Sequence, residues 1–391
     1  MPEPAAENKI LRENFVFNNW TLIRQVLQQP ETPRAAEGTE DNQTSKADEE
    51  ALRDYFGDEK FSLIRAESLR ARAENIRERI GNVILLPGIM GSHLSVVERN
   101  PDDPNDVRDI DHIWLNLWRI VKGDLDRLRL DPKNPKKNLN NENVEATGVL
   151  GWYYGLAIET LQAVPFPYDW RLDVFDAADK LDKFIEEQFK QKNFVEGKPL
   201  RFVAHSMGGL VVRAFIAKYA EKWKQFDSHL IMLGTPNAGS YSAVKGLMGK
   251  NETASKLAKI DLFHSPSELS QIVNSFYGLY QLCPSKTTNN AIYKQSFWQD
   301  YSDVQFGYLT RVLEFHQTLL DAKDTVDCER MTYIAGAGFE TPVSLDPTQE
   351  GAYDFRVSLD GDGVVSHELG LLKDVKTYFV KETHADLLNN L

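Results

Sequence analysis

The chain has 391 residues, 42% hydrophobic and 26% charged, with 58 acidic against 45 basic side chains and a formal net charge of -13. That composition suits a soluble globular protein with a large core. The acidic balance argues against nucleic acid as a partner and against a purely electrostatic hold on anionic membranes, so a lipid would have to be met through apolar contact.

Residues 1–80 read as an accessory extension, helical in part. An amphipathic stretch around Phe15–Leu27 is followed by a polar tract, Pro30–Glu50, whose composition predicts disorder. From Leu63 to Ile80 apolar residues recur every three or four positions among Arg and Glu, the period of a solvated helix. No catalytic chemistry is visible there. The extension offers a packing surface or a contact for a protein partner.

Residues 81–391 form one catalytic domain. Compact apolar runs at Asn82–Leu86, Val164–Tyr168, Leu200–Ala204, His229–Leu233, Met331–Ala335 and Val375–Val380 predict buried parallel strands. Helical patterns lie between several of them, at Gly155–Leu161, Ala177–Phe189 and Leu210–Ala220. The alternation predicts an α/β fold, a mostly parallel doubly wound sheet of the α/β-hydrolase kind. Two segments, about 95–150 and 241–325, break the alternation and read as cap or lid insertions over the carboxyl ends of the strands, where such sheets bind ligands.

Around position 206 the run Phe202-Val203-Ala204-His205-Ser206-Met207-Gly208-Gly209 reads as a strand, a tight turn and a helix start, with serine at the apex. This is a nucleophile elbow. A helix cap is the alternative role for this serine, disfavoured by the strand before it and the glycines after it. Ala204 stands where glycine is usual. His205 is read as structural, pointing away from Ser206.

Chain order in this fold runs serine, acid, histidine. His384 follows the final strand and precedes a helical start at Ala385–Leu391; Asp362, chosen over Asp360, lies in the Gly-flanked loop after Met331–Ala335. An Asp-Gly-Asp-Gly segment is otherwise a common turn. Backbone amides of Met207 and Ile89, the latter in Leu86-Pro87-Gly88-Ile89-Met90, would form the oxyanion hole. The chemistry needs no metal and no organic cofactor.

Trp114, Leu115, Leu117, Trp118, Ile120 and Val121 form an apolar cluster in the first insertion. It reads equally as a lid or membrane-contact segment, with Trp114 and Trp118 near substrate, or as a helix packed into the core. Phe276-Tyr277-Gly278-Leu279-Tyr280 has the same two readings, acyl pocket or cap packing. The N-terminus, Met1-Pro2-Glu3-Pro4, lacks a basic region followed by an apolar run, and no uncharged stretch is long enough to span a bilayer. With only Cys283 and Cys328 present, a cytoplasmic, reduced setting is expected.

Taken together, Leu86–Ser92, Ile113–Leu117, Pro167-Tyr168-Asp169-Trp170-Arg171-Leu172, the Ser206 elbow, Gly234-Thr235-Pro236-Asn237-Ala238-Gly239-Ser240 and Asp360–Val365 resemble the lecithin:cholesterol acyltransferase family, which includes lysosomal phospholipases. The resemblance runs from about residue 82 onward. It implies an acyl ester substrate and an acyl-serine intermediate resolved by water or an alcohol, with Asp362, His384 and the Ile89 amide in the family's catalytic places. The lid cysteines of the extracellular members have no counterpart near Trp114, and Val364 stands where that family has threonine. The rival functions are a soluble carboxylesterase acting on short esters and a non-catalytic interaction module.

Overall fold

A computed structural model describes residues 20–29, 40–250, 257, 259–285, 291–321, 326–347 and 353–388. Helix α1 spans Trp20–Leu27, α2 Glu40–Phe56 and α3 Asp58–Ala73. Helix α2 enters the tract expected to be disordered, of which residues 30–39 lie outside the described residues. Its last turns explain the difference: Leu52 and Phe56, four residues apart on one face, are buried in a core shared with Trp20, Ile23, Phe61 and Ile64. Tertiary burial outweighs the weak helical preference of the polar residues.

Strand β1 (Asn82–Leu86) leads into β2 (Ser92–Asn100) and β3 (Asp103–Trp114), followed by the short β4 (Leu130–Asp131) and β5 (Asn134–Asn138), then β6 (Val144–Val149). Strands β3, β2 and β6 pair antiparallel as a small separate sheet. The segment after β1 is therefore largely a β-structure. Helix α4 (Gly151–Leu161), β7 (Val164–Pro165), α5 (Val174–Lys190), β8 (Leu200–His205), α6 (Met207–Gln225) and β9 (His229–Leu233) follow. Short helices, including Tyr241–Leu247, Pro266–Val273 and Tyr277–Tyr280, precede the long α7 (Phe306–Asp321). The chain closes with β10 (Met331–Gly336), the hairpin β11 (Thr341–Pro347) and β12 (Tyr353–Ser358), and β13 (Lys376–Val380).

The main sheet is parallel throughout, in the order β13-β10-β9-β8-β1-β7. It is an α/β-hydrolase fold. Both faces are covered at its central strands, which is why β1, β8, β9 and β10 read as apolar runs, whereas the edge strand β13 leaves Tyr378 and Phe379 exposed. On β1, Ile84 and Leu86 point into the core beneath α5 and α6, whereas Val83 and Leu85 point into the core formed with α1–α3 and α4. The described N-terminal helices thus spend their apolar faces on packing. Gly151 and Gly155 make room for this: a Cβ at either would lie about as close to the Trp20 ring as 2.9 and 3.0 Å.

Chain order reverses between β1 and its neighbours: β7 pairs on one side of it and β8 on the other. Leu86 is in register with Ala204, so the loop after β1 and the turn after β8 emerge side by side. This switch point is where such sheets place a ligand crevice.

Candidate active site

At the end of β8 the backbone turns so sharply that Ser206 takes φ 53 and ψ -124 before α6 begins. Positive φ is costly for a side-chain-bearing residue and persists where surrounding structure enforces it. Here the enforcement is close packing: a Cβ at Gly208 would lie 2.7 Å from the Pro87 carbonyl, and one at Gly209 would collide with Thr235. Ala204, by contrast, is fully buried and its methyl is accommodated in the core.

Ser206 Oγ lies 2.9 Å from Nε2 of His384, and Nδ1 of His384 lies 2.8 Å from Oδ2 of Asp362. Asp362 Oδ1 accepts from the amides of Val364 and Val365 at 2.9 and 2.7 Å. Burial opposes ionisation of this carboxyl, but the charge and hydrogen bond of His384 together with the two amides outweigh it and hold Asp362 below its ordinary value. An ionised Asp362 selects the Nδ1–H tautomer of His384, leaving Nε2 as acceptor for the serine proton. Asp360 is exposed and its carboxylate meets Ser358, away from this set. The other late histidines are engaged elsewhere: His264 with Asp261, His316 with the Cys283 carbonyl and His367 with the Gly336 carbonyl. The Ala385–Leu388 segment after His384 is a turn, with residues 389–391 outside the described residues.

Met207 opens α6, so its amide has no intrahelical acceptor and points out of the helix start. The Pro87–Met90 loop faces the same serine: a Cβ at Gly88 would lie 3.4 Å from Ser206 Oγ. Glycine at 88 therefore lets the backbone bearing the Ile89 amide approach Ser206.

The two tryptophans separate. Trp114 is 6% exposed, donates from Nε1 to the Met90 carbonyl at 2.9 Å and packs edge-on against Trp170. Trp118 is 64% exposed, with Lys122 over its ring. The buried Trp114 supports the loop after β1. Phe276, Tyr277, Leu279 and Tyr280 are all buried in the main core and hold the second insertion together. In the Asp169–Arg171 segment the two charges pair bidentately while Tyr168 donates to the Pro87 carbonyl, so this run braces the same loop.

Sequence reasoning gave no role to Tyr154 or Gly234 and read His205 as structural. The His205 ring centroid lies 4.9 Å from that of His384, and His205 bonds to the His384 carbonyl. Tyr154 meets both His205 and the Gly88 amide. Gly234 sits against the Asp362–His384 pair. The Gly-Thr-Pro segment pointed toward the last; nothing local in the chain marks Tyr154. Among the described residues, no helix is long and apolar enough to cross a membrane, and no group of three His, Cys, Asp or Glu side chains is placed to hold a metal ion.

The family model for lecithin:cholesterol acyltransferase matches residues 148–387, a span holding Ser206, Asp362 and His384 but not the loop after β1. Mouse phosphatidylcholine-sterol acyltransferase is 28% identical over 221 residues, covering 46% of this chain and 49% of that protein. Lecithin-cholesterol acyltransferase-like 1 of Arabidopsis thaliana is 26% identical over 224 residues, covering 51% and 50%. The chain spans about half the length of the curated relatives it matches. The crystal structure of mature Bacillus licheniformis lipase BlEst2 aligns with a TM-score of 0.35 at 12% identity, covering 79% of this chain and 86% of that one.

Proposed function

Since the chain belongs to the lecithin:cholesterol acyltransferase family, we propose that it is a serine-dependent lipid acyl hydrolase or acyltransferase. The observation that carries this reading is the continuous hydrogen-bonded line from Ser206 Oγ through His384 to Asp362, at 2.9 and 2.8 Å. His384 Nε2 takes the Ser206 proton as Oγ attacks an acyl carbonyl. Charge developing on the carbonyl oxygen is stabilised by the amides of Met207 and Ile89; loss of one such donor typically costs about 10²- to 10³-fold in turnover. The protonated His384 gives its proton to the leaving alcohol, and the acyl-Ser206 ester remains. Water or a second alcohol then loses its proton to His384 and attacks the ester, and His384 returns that proton to the departing Ser206 Oγ.

A lipid substrate has to be met at an interface. Leu117, Trp118, Leu262 and Phe263 are all exposed, and Gly123, which follows the Lys122 that lies over the Trp118 ring, abuts Phe263. This apolar patch joins the two insertions and forms the surface proposed to touch a lipid bilayer transiently, with the tryptophan at the interface.

Fatty acid release from phosphatidylcholine vesicles and from p-nitrophenyl esters, with and without an added long-chain alcohol, tests the reading against Ser206→Ala. Turnover abolished by the substitution supports the acyl-serine route, and ester formation on the alcohol selects transfer over hydrolysis. Equal turnover in the two proteins rejects it.

A further inference from the structure

Beside the catalytic line runs a second, buried one. The Gly88 amide donates to Tyr154 Oη at 2.9 Å, Tyr154 Oη lies 3.1 Å from His205 Nδ1, and His205 Nε2 lies 3.0 Å from the main-chain carbonyl of His384. The proton order follows from the acceptors. A carbonyl only accepts, so His205 Nε2 carries the hydrogen; the neutral ring then accepts at Nδ1, and the Tyr154 hydroxyl donates to it. Burial and the nearby His384 push the His205 pKa down to about 3, consistent with a ring that stays neutral.

We infer that Tyr154 and His205 are positioning residues that tie the peptide of His384 to the loop carrying the Ile89 amide. The inference rests on the catalytic reading above. The two loops arrive from opposite ends of the chain, and the proposed reaction needs the base and the early oxyanion donor at a set separation. Both ends of the buried line are backbone groups: the Gly88 amide, adjacent to Ile89, and the carbonyl of His384 itself. Tyr154 is held for this task, since a Cβ at Gly91 would lie 2.7 Å from its hydroxyl and its neighbour Tyr153 bonds to the Ala385 carbonyl. The hydrogen bonds of both side chains go to groups other than the Ser206 hydroxyl and the His384 ring nitrogens. Their effect is on the placement of the reacting groups, as expected of supporting residues.

The experiment measures kcat and KM for p-nitrophenyl butyrate, together with the thermal midpoint, in the full chain and in His205→Ala, His205→Gln, His205→Asn and Tyr154→Phe. Glutamine can offer an N–H where Nε2–H lies and so reach the His384 carbonyl; asparagine reaches only the Nδ1 position. The expected result is a loss of about 10- to 100-fold in kcat for His205→Ala, His205→Asn and Tyr154→Phe with KM nearly unchanged, and a partial recovery for His205→Gln, about 5-fold or more above His205→Asn, since glutamine restores the bond to the His384 carbonyl but not the acceptor of Tyr154. A folded His205→Ala with wild-type kcat, or glutamine and asparagine variants of equal kcat, overturns the positioning role while leaving the catalytic reading intact. If His205→Ala does not fold, the glutamine and asparagine pair decides. Absence of Ser206-dependent turnover in the wild type removes the reaction itself, and the positioning role with it.

Discussion

His384 and Asp362 are joined twice: the His384 amide donates to the Asp362 main-chain carbonyl at 2.8 Å, and the imidazole Nδ1 donates to Oδ2 at 2.8 Å. The backbone bond fixes where the two loops meet, and the side-chain bond then sets the ring. Replacing Asp362 by Asn should leave the first intact and disturb the second, because an amide can present N–H to Nδ1 and favour the wrong tautomer. Turnover of p-nitrophenyl esters by Asp362→Asn should fall by about 10⁴-fold with the thermal midpoint little changed. A variant within tenfold of wild type, roughly 1.4 kcal/mol, would remove Asp362 from the proposed mechanism.

Gly234 leaves no room beside this pair. Its φ is +59, and a Cβ would lie 2.8 Å from Asp362 Oδ2 and 2.9 Å from His384 Nδ1. Gly234→Ala combines backbone strain of about 1–3 kcal/mol with displacement of the acid from the base. Both the thermal midpoint and kcat should drop. Wild-type values for both would mean that the loop relaxes freely.

Three histidines in buried surroundings make stability pH-dependent. Burial pushes His205 down to about 3, and His93 and His316 to about 4, from an ordinary value of 6.5. The unfolded chain therefore binds protons that the folded chain refuses. Stability is complete above about pH 6.5 and is lost as pH falls toward these values, by at most about 1.4 kcal/mol per pH unit for each ring. Urea midpoints at pH 7, 6 and 5 should decrease in that order. A flat series would show that the three rings charge without unfolding.

Glu159 is fully buried on α4 and is reached from the N-terminal extension by Trp20 Nε1 at 2.7 Å, by Arg24 Nε at 3.0 Å and by the Ser68 hydroxyl. Arg24→Met would leave its carboxylate without the cation that balances it. A stability loss of about 3 kcal/mol in denaturant unfolding is expected. An unchanged midpoint would show that the α1 contact contributes nothing to the fold.

The exposed patch gives a separable effect. Replacing Trp118 and Phe263 together by Ser should lower activity on phosphatidylcholine vesicles about tenfold while leaving short soluble esters within about twofold. Parallel losses on both substrates would assign these side chains to the fold or to the reaction instead of to the lipid surface.

The central strands β1, β8, β9 and β10 were legible because helices cover both faces of the sheet there, so each appears as an apolar run; the edge strand β13 leaves Tyr378 and Phe379 exposed and carries a weaker signal. Ser206 was legible for a related reason: a sharp turn between strand and helix demands small neighbours at short range, and Gly208 and Gly209 are those neighbours. His384 and Asp362 were reached through chain order, their places after late strands and the family resemblance. The N-terminal helix Glu40–Phe56 was not legible over its polar half, since the burial that supports it, at Leu52 and Phe56, depends on partners far along the chain.

By itself, then, the sequence determined the class of the fold and three candidate side chains, because those follow from hydrophobic period, turn chemistry and element order, all local properties. Tertiary structure alone decided that Trp114 is packed against Trp170 while Trp118 faces outward, that Trp20 fits over Gly151 and Gly155, and that Tyr154 meets the Gly88 amide while His205 meets the carbonyl of His384. These are contacts between residues separated by tens to hundreds of positions, and they exist only once packing has brought their surfaces together. No local pattern encodes which buried polar group will find which partner.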